Sequence, residues 1–316
     1  MKRLPKLSPV AIAAIATVLL LTIGQIVSPG FASFTQITNM LTVAAFLGIV
    51  AAGQALVVIA GGSGIDLSVG KMVTLGAIVG GAVMNGADAR IVPAVLAVLL
   101  VTALLGLLNG TGVAYLGIPP LVMTLGMSIV VAAISQFITG GVPVEGASDA
   151  LRTIVVGRLF GLPGILYWWL AFGIVVVLVL RNTRYGSTLY ALGANTDAAF
   201  LSGVRVRATR AITYAVCAAI AGTAGFLYLG FVGSVYNITL GDQYMLGSIV
   251  AVVVGGVSLS GGVGGYVGVA VGAMLLQVLE SVLTTVNIPQ YGREIFFALA
   301  LLVLLFAYAR DRRLRQ

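Results

Sequence analysis

Histidine is absent from all 316 residues, and there is a single cysteine, Cys217. The first absence removes the commonest general base, metal ligand and proton relay. The second excludes an intrachain disulfide, and Cys217, set in an apolar run, reads as a small packed residue of a helix. Charge is scarce as well. Only 8% of residues are Asp, Glu, Lys or Arg, where a soluble domain carries about 25%. Without a charged surface most side chains must meet lipid, and the 60% hydrophobic content agrees. Length alone allows two soluble domains, but the hydropathy points to one all-α integral membrane domain over residues 1–316.

The net charge of +8 does not indicate a nucleic-acid partner. The basic residues sit in short flanks at the ends of apolar runs, a pattern that suits an anionic inner leaflet. The first 30 residues imitate a secretory signal. Their apolar run from Val10 to Val27 is long for one, however, and no A-x-A site follows. It reads as an uncleaved first span.

A helix needs about 20 apolar residues to cross the hydrocarbon core. Ten segments qualify: 10–28, 37–60, 69–86, 91–115, 120–140, 164–181, 210–232, 244–258, 265–286 and 294–309. The third and eighth are glycine-rich. An even number puts both termini on one side, and the charges say which. The terminal side collects Lys2, Arg3, Lys6, Lys71, Arg181, Arg184, Arg205, Arg207, Arg210, Arg310, Arg312, Arg313 and Arg315, which is 13 of the 17 basic residues. The other side has Arg90, Arg152, Arg158 and Arg293, with five of the nine acids: Asp88, Glu145, Asp149, Asp242 and Glu294. Both termini are therefore expected in the cytoplasm. The loop 141–163 is then periplasmic, with a short amphipathic segment from Leu151 to Phe160.

Two glycine-rich breaks interrupt the apolar pattern, Gly61 to Gly70 and Gly255 to Gly265. Two readings stand. Paired interruptions can line a transport path with freed backbone groups, or they are tight turns in which glycine supplies φ > 0. Their expected cytoplasmic position suits a gate better than a central binding site. GxxxG spacings follow each break, at Gly76 and Gly80 and at Gly264, Gly268 and Gly272, and read as close helix packing.

Enzymatic readings fail. Gly61-Gly-Ser63-Gly matches the GxSG pattern of intramembrane serine proteases, but no histidine is present to take the serine proton. A phosphate-binding loop ending at Gly70-Lys71 would need glycine at 65 and Ser or Thr at 72, where the chain has Ile65 and Met72. There is no catalytic residue, metal site or cofactor to assign, and any ATP must be used by another chain. Asp66 and Glu280 are the acids nearest the membrane interior and are candidates for that reason. Asp66 also suits local capping of the helix that follows.

The polar stretch 182–210 lies between two apolar runs. Asn195 suits a helix N-cap, Asp197 falls in the first turn and Gly203 in the stop position. A helix of about two turns is unstable alone, so Ala198, Phe200 and Leu201 are expected to meet a surface.

Three stretches together resemble the permease subunits of carbohydrate-uptake ABC transporters of the ribose, xylose and galactofuranose type. They are Gly64-Ile-Asp-Leu-Ser-Val-Gly70; Asn182-Thr-Arg-Tyr-Gly186 with Leu189-Tyr-Ala-Leu-Gly-Ala-Asn195 and Leu201-Ser-Gly-Val204; and Ala251 to Gly265. The resemblance runs from about residue 35 to 310. The chain departs from it at Gly61-Gly-Ser-Gly-Ile, an apparent two-residue insertion. The resemblance implies a type II-like importer permease of the inner membrane, paired with a second permease, the same or a related chain. Cytoplasmic ATPase subunits would bind ATP and Mg, and a periplasmic sugar-binding protein would deliver a monosaccharide or similar polyhydroxylated solute. It maps an ATPase-coupling helix onto Asn195, Thr196, Asp197, Ala198, Phe200, Leu201 and Gly203. The gate or pathway candidates are Gly61, Gly62, Asp66, Ser68, Gly255, Gly256, Ser258, Ser260 and Glu280. An ion-driven secondary transporter and an ABC permease for a nucleoside or amino acid are the alternatives.

Overall fold

The structure, a computed structural model, describes residues 8–293 together with 295, 296, 298, 299 and 302. Twelve α-helices are formed in that region: α1 Pro9–Val27, α2 Phe34–Ile59, α3 Val69–Met84, α4 Ile91–Ala114, α5 Pro120–Thr139, α6 Asp149–Val156, α7 Gly164–Asn182, α8 Arg184–Ala194, α9 Thr196–Leu201, α10 Val206–Val232, α11 Asp242–Val254 and α12 Tyr266–Thr285. Seven of the described helices are long and apolar enough to cross a membrane, namely α1, α2, α4, α5, α7, α10 and α12. Nine of the ten expected spans thus have a helix, but α3 and α11 are short, at 16 and 13 residues. Most of the tenth, 294–309, lies outside the described residues.

Serine side chains open three of these helices. Ser8, Ser33 and Ser148 accept the backbone N–H of Ala11, Gln36 and Leu151, which satisfies donors that a helix start leaves unpaired. The strands are two residues each. β1 (Val144–Glu145) pairs antiparallel with β4 (Ser234–Val235), Val144 opposite Val235. β2 (Arg158–Leu159) pairs with β3 (Leu162–Pro163) in a hairpin. The amphipathic segment expected at 151–160 forms as α6, which buries Leu151 and Val155.

The core is organised around α2. Every residue from Ala44 to Ala60 is buried, as an all-apolar helix requires when protein surrounds it. By contrast α1, α4, α5 and α7 each leave large apolar side chains exposed, among them Leu19, Leu100, Ile129 and Leu170, as lipid-facing helices do. Small residues set the closest approaches. A Cβ on Gly110 would fall 2.5 Å from Ala211 Cα, one on Gly80 2.5 Å from the Phe226 ring, and one on Gly268 against the Gly255 carbonyl. The GxxxG positions therefore serve packing.

Candidate functional site

The two glycine breaks and the polar stretch are far apart in sequence, and the fold joins all three at one point. Gly193, near the end of α8, is in backbone contact with Gly61 of the first break and Gly261 of the second. A Cβ on Gly61 would sit 2.8 Å from Gly193 Cα, and one on Gly261 would sit 2.9 Å from the same atom. Gly262 N donates to Ile59 O at 2.9 Å, closing the second break onto the end of α2. Tyr190 adds a hydrogen bond from its hydroxyl to Gly264 O at 2.8 Å. Only glycine permits three backbones to meet this closely.

The helix α9 hangs from this knot. Asn195 is its N-cap, with Oδ1 accepting from Asp197 N and Ala198 N, both at 3.0 Å. Gly203 ends it at φ +85°. Thr196 Oγ1 accepts from the Arg210 guanidinium at 3.1 Å, and that guanidinium lies over Gly62. Ala199 packs inward, while Ala198 is exposed and Phe200 and Leu201 stand 68% and 84% exposed. The three-turn α8 ahead of it was not foreseen from the sequence. It carries Gly186, Leu189 and Leu192 inward, a signal hidden among polar residues. Burial pushes the Tyr185 phenol on α8 up to about 12, so it stays neutral and pairs with Thr213 Oγ1 at 2.9 Å.

The first break is both a turn and an unwound segment. Gly64 N donates to Gly61 O across the apparent insertion, with Ser63 at φ +57°. Beyond it the chain runs inward along α2. Gln54, with its amide oriented to satisfy both groups, bonds Asp66 N and O at 3.2 and 3.1 Å. Asp66 is fully buried. Its Oδ1 accepts from Ser68 N at 2.8 Å and Ser68 Oγ at 2.6 Å, so it braces the start of α3 from two residues ahead. Asn109 Nδ2 of α4 donates to Ser68 Oγ at 2.9 Å, and Leu67 N donates to Thr124 Oγ1 of α5. Gln54, Asn109 and Thr124 were not singled out in the sequence, because each looks like an ordinary polar residue of an apolar run.

The remaining candidates are dispersed. Gly255 packs on Gly268 and Gly256 against Pro9. Both line a cavity of about 280 Å³ with Arg181 and Tyr190. Ser258 N bonds Val263 O at 2.9 Å within the second break, and Ser260 O lies beside Gly61. Glu280 lies 3.8 Å from Arg293 and belongs to neither cluster.

One expectation is overturned. The charge pattern puts Lys71 and Asp242 on opposite sides of the membrane, yet Lys71 Nζ is 2.6 Å from Asp242 Oδ1. Their helices α3 and α11 start side by side. A Cβ on Gly70 would be 2.7 Å from Gly241 O, and Thr74 Oγ1 accepts from Gly241 N at 3.0 Å. Eleven residues from Gly70 up α3, Gly81 abuts Gly146 and Val144 beside the β1–β4 pair, which is about 16 Å at 1.5 Å per residue. Asp242 to Val254 spans the other direction, about 18 Å to the second break. The pair therefore lies between the two ends of the bundle, about 16 Å along α3 from one and about 18 Å along α11 from the other. Residues 61–68 and 233–241 are unwound stretches that enter the bundle from opposite ends, and neither location follows from hydropathy.

A family model described as "Branched-chain amino acid transport system / permease component" matches residues 36–307. The galactose/methyl galactoside import permease protein MglC of Escherichia coli (strain K12) is 33% identical over 297 residues, covering 86% of this chain and 88% of that protein. The ribose import permease protein RbsC of the same strain is 33% identical over 296 residues, covering 92% and 90%. The autoinducer 2 import system permease protein LsrC of Shigella flexneri is 32% identical over 305 residues, covering 96% and 86%. No solved structure matches the chain.

Proposed function

The chain belongs to the branched-chain amino acid transport system / permease component family, and from that premise we propose that it is the membrane subunit of an ATP-driven importer for a monosaccharide or similar polyhydroxylated solute. It is a permease component and not an enzyme. The relatives at 32–33% identity are named for galactose, ribose and autoinducer 2 import rather than for amino acids, which favours a sugar over the amino acid of the family's title. The fold is a type II-like importer permease in the bacterial inner membrane with both termini in the cytoplasm. Loop 182–210 is then cytoplasmic and loop 141–163 periplasmic. Partner ATPase subunits hold ATP and Mg, a periplasmic binding protein delivers the solute, and a second permease completes the path.

The observation that carries this reading is α9, a helix of six residues with its two largest apolar side chains turned outward. Phe200 and Leu201 have no use on a free surface and suit a groove on an ATPase. Thr196 holds the helix to α10 through Arg210, so a push on α9 reaches Gly193 and, through the knot, Gly61 and Gly261. Gly61, Gly62 and Ser260 at that knot then work as the inner gate. Asp66 and Ser68 hold the unwound segment above it, and Gly255, Gly256 and Ser258 form the opposite wall. Glu280 is the weakest of the pathway candidates, because its carboxylate is drawn to Arg293.

The test is a Phe200→Asp, Leu201→Asp double variant. Burying each side chain stabilises a docked interface by about 1.5–3 kcal/mol, so the ATPase should co-purify at least about a hundredfold less tightly. Normal assembly and transport by the double variant would end the assignment of α9 as the coupling helix.

A further inference from the structure

The Lys71–Asp242 pair makes no contact with α9 and lies between the two ends of the bundle, where charge is costly. A charged side chain deep in a bilayer is costly even when it is paired. Pairing offsets part of that cost when the pair is enclosed by protein. Here it is not enclosed, since the two side chains are 20% and 44% exposed. From Met72 to Gly81 every residue of α3 is buried, so Lys71 is where this helix opens to the outside of the subunit. Gln243, Thr239 and Asn237 beside Asp242 are also exposed. A polar, half-open patch at that depth suits a water-filled path rather than lipid, as intramembrane ionisable residues usually do.

We propose that Lys71 and Asp242 form a solute-contact station in the translocation path, between the two ends of the bundle. The ligand class follows from the chemistry of the pair. Lys71 offers N–H donors and Asp242 offers carboxylate acceptors, and together they carry no net charge. A neutral polyol matches both, because each hydroxyl accepts from the ammonium and donates to the carboxylate. The station also responds to the energy source. The unwound segment that leads into α3 starts at Gly61 and the break that follows α11 contains Gly261, so both helices are tied to the knot that holds α9. Motion of α9 would change how the two charges are spaced, and with it the grip on the solute.

This rests on the importer reading, and the experiment separates the two. The intact complex, with its ATPase and binding protein, is reconstituted in liposomes and supplied with radiolabelled D-galactose or D-ribose. Asp242→Asn and Lys71→Met should each lower ATP-driven uptake about tenfold or more, the loss expected for a hydrogen bond to a charged group, with the same recovery of assembled complex. The charge-swapped double variant, Lys71→Asp with Asp242→Lys, should not restore it. Restoration to the original rate would show a purely structural ion pair and overturn the proposal. A second arm uses Asp242→Cys, for which Cys217, being buried, is a silent background. A membrane-impermeant methanethiosulfonate should label position 242 in at least one nucleotide state, and sugar should slow it. If the unmodified complex transports sugar while position 242 stays unlabelled in every state, the station is wrong. If position 242 labels but neither sugar is taken up or slows labelling, the ligand class of the station and the sugar reading fail together, and the path alone remains.

Discussion

The joint between the polar stretch and the two breaks can be tested with one methyl group. In Gly193→Ala the new Cβ would fall on Ile59 O and Gly262 N and lie 3.0 Å from Gly261 C. All three are backbone atoms, so no side chain can swing away. Overpacking of this kind costs about 1–3 kcal/mol. The methyl group also wedges into the Gly262 N to Ile59 O hydrogen bond, worth about 1 kcal/mol more. At 1.4 kcal/mol per tenfold, a total of about 2–4 kcal/mol leaves the joint engaged about 30- to 700-fold less. The detergent-solubilised complex should unfold at a lower temperature, and sugar uptake per ATP hydrolysed should fall together with it. Gly126→Ala in α5 is the control, because a Cβ there meets nothing within 4 Å. If Gly193→Ala melts and transports as the control does, the three backbones do not meet as described and the link from α9 to both breaks is lost.

Two further substitutions test the polar interior. Asn109→Leu removes the donor to Ser68 Oγ and should destabilise the complex by about 1–3 kcal/mol, read as a lower thermal midpoint. Tyr266→Phe strips the acceptor from the Trp169 indole N–H, 2.8 Å away, and the donor from Gly48 O, 3.0 Å away. It should cost about as much and shift the Trp169 fluorescence, and an unshifted spectrum would mean that this bond does not form.

Much of the fold was legible because lipid enforces a simple rule. Runs such as Val10 to Val27 and Pro120 to Thr139 are apolar for about 20 residues, and each became a helix. Asn195, Asp197 and Gly203 read correctly as the start, first turn and end of α9, since capping is a local matter. The legibility ended where helices stop inside the bundle. The segments 69–86 and 244–258 looked like weak spans, but α3 and α11 are short because their chains enter unwound. Lys71 was placed by counting charges along loops, a method that assumes every flank lies at a surface. Gly193 lies in a stretch that carries the resemblance, but nothing around it in the sequence marks it as the meeting point of Gly61 and Gly261.

By itself, then, the sequence determined the solvent, the helical class, the absence of histidine and the capped polar helix, because these depend on composition and on neighbours a few residues apart. The tertiary structure decided that Gly61, Gly193 and Gly261 are one contact and that Lys71 meets Asp242. Those meetings join Gly61 to Gly193, 132 positions on, Gly193 to Gly261, 68 on, and Lys71 to Asp242, 171 on, and no local preference encodes them. They arise from how the helices pack: glycines let backbones touch, and two half-length helices bring their first turns to the same depth.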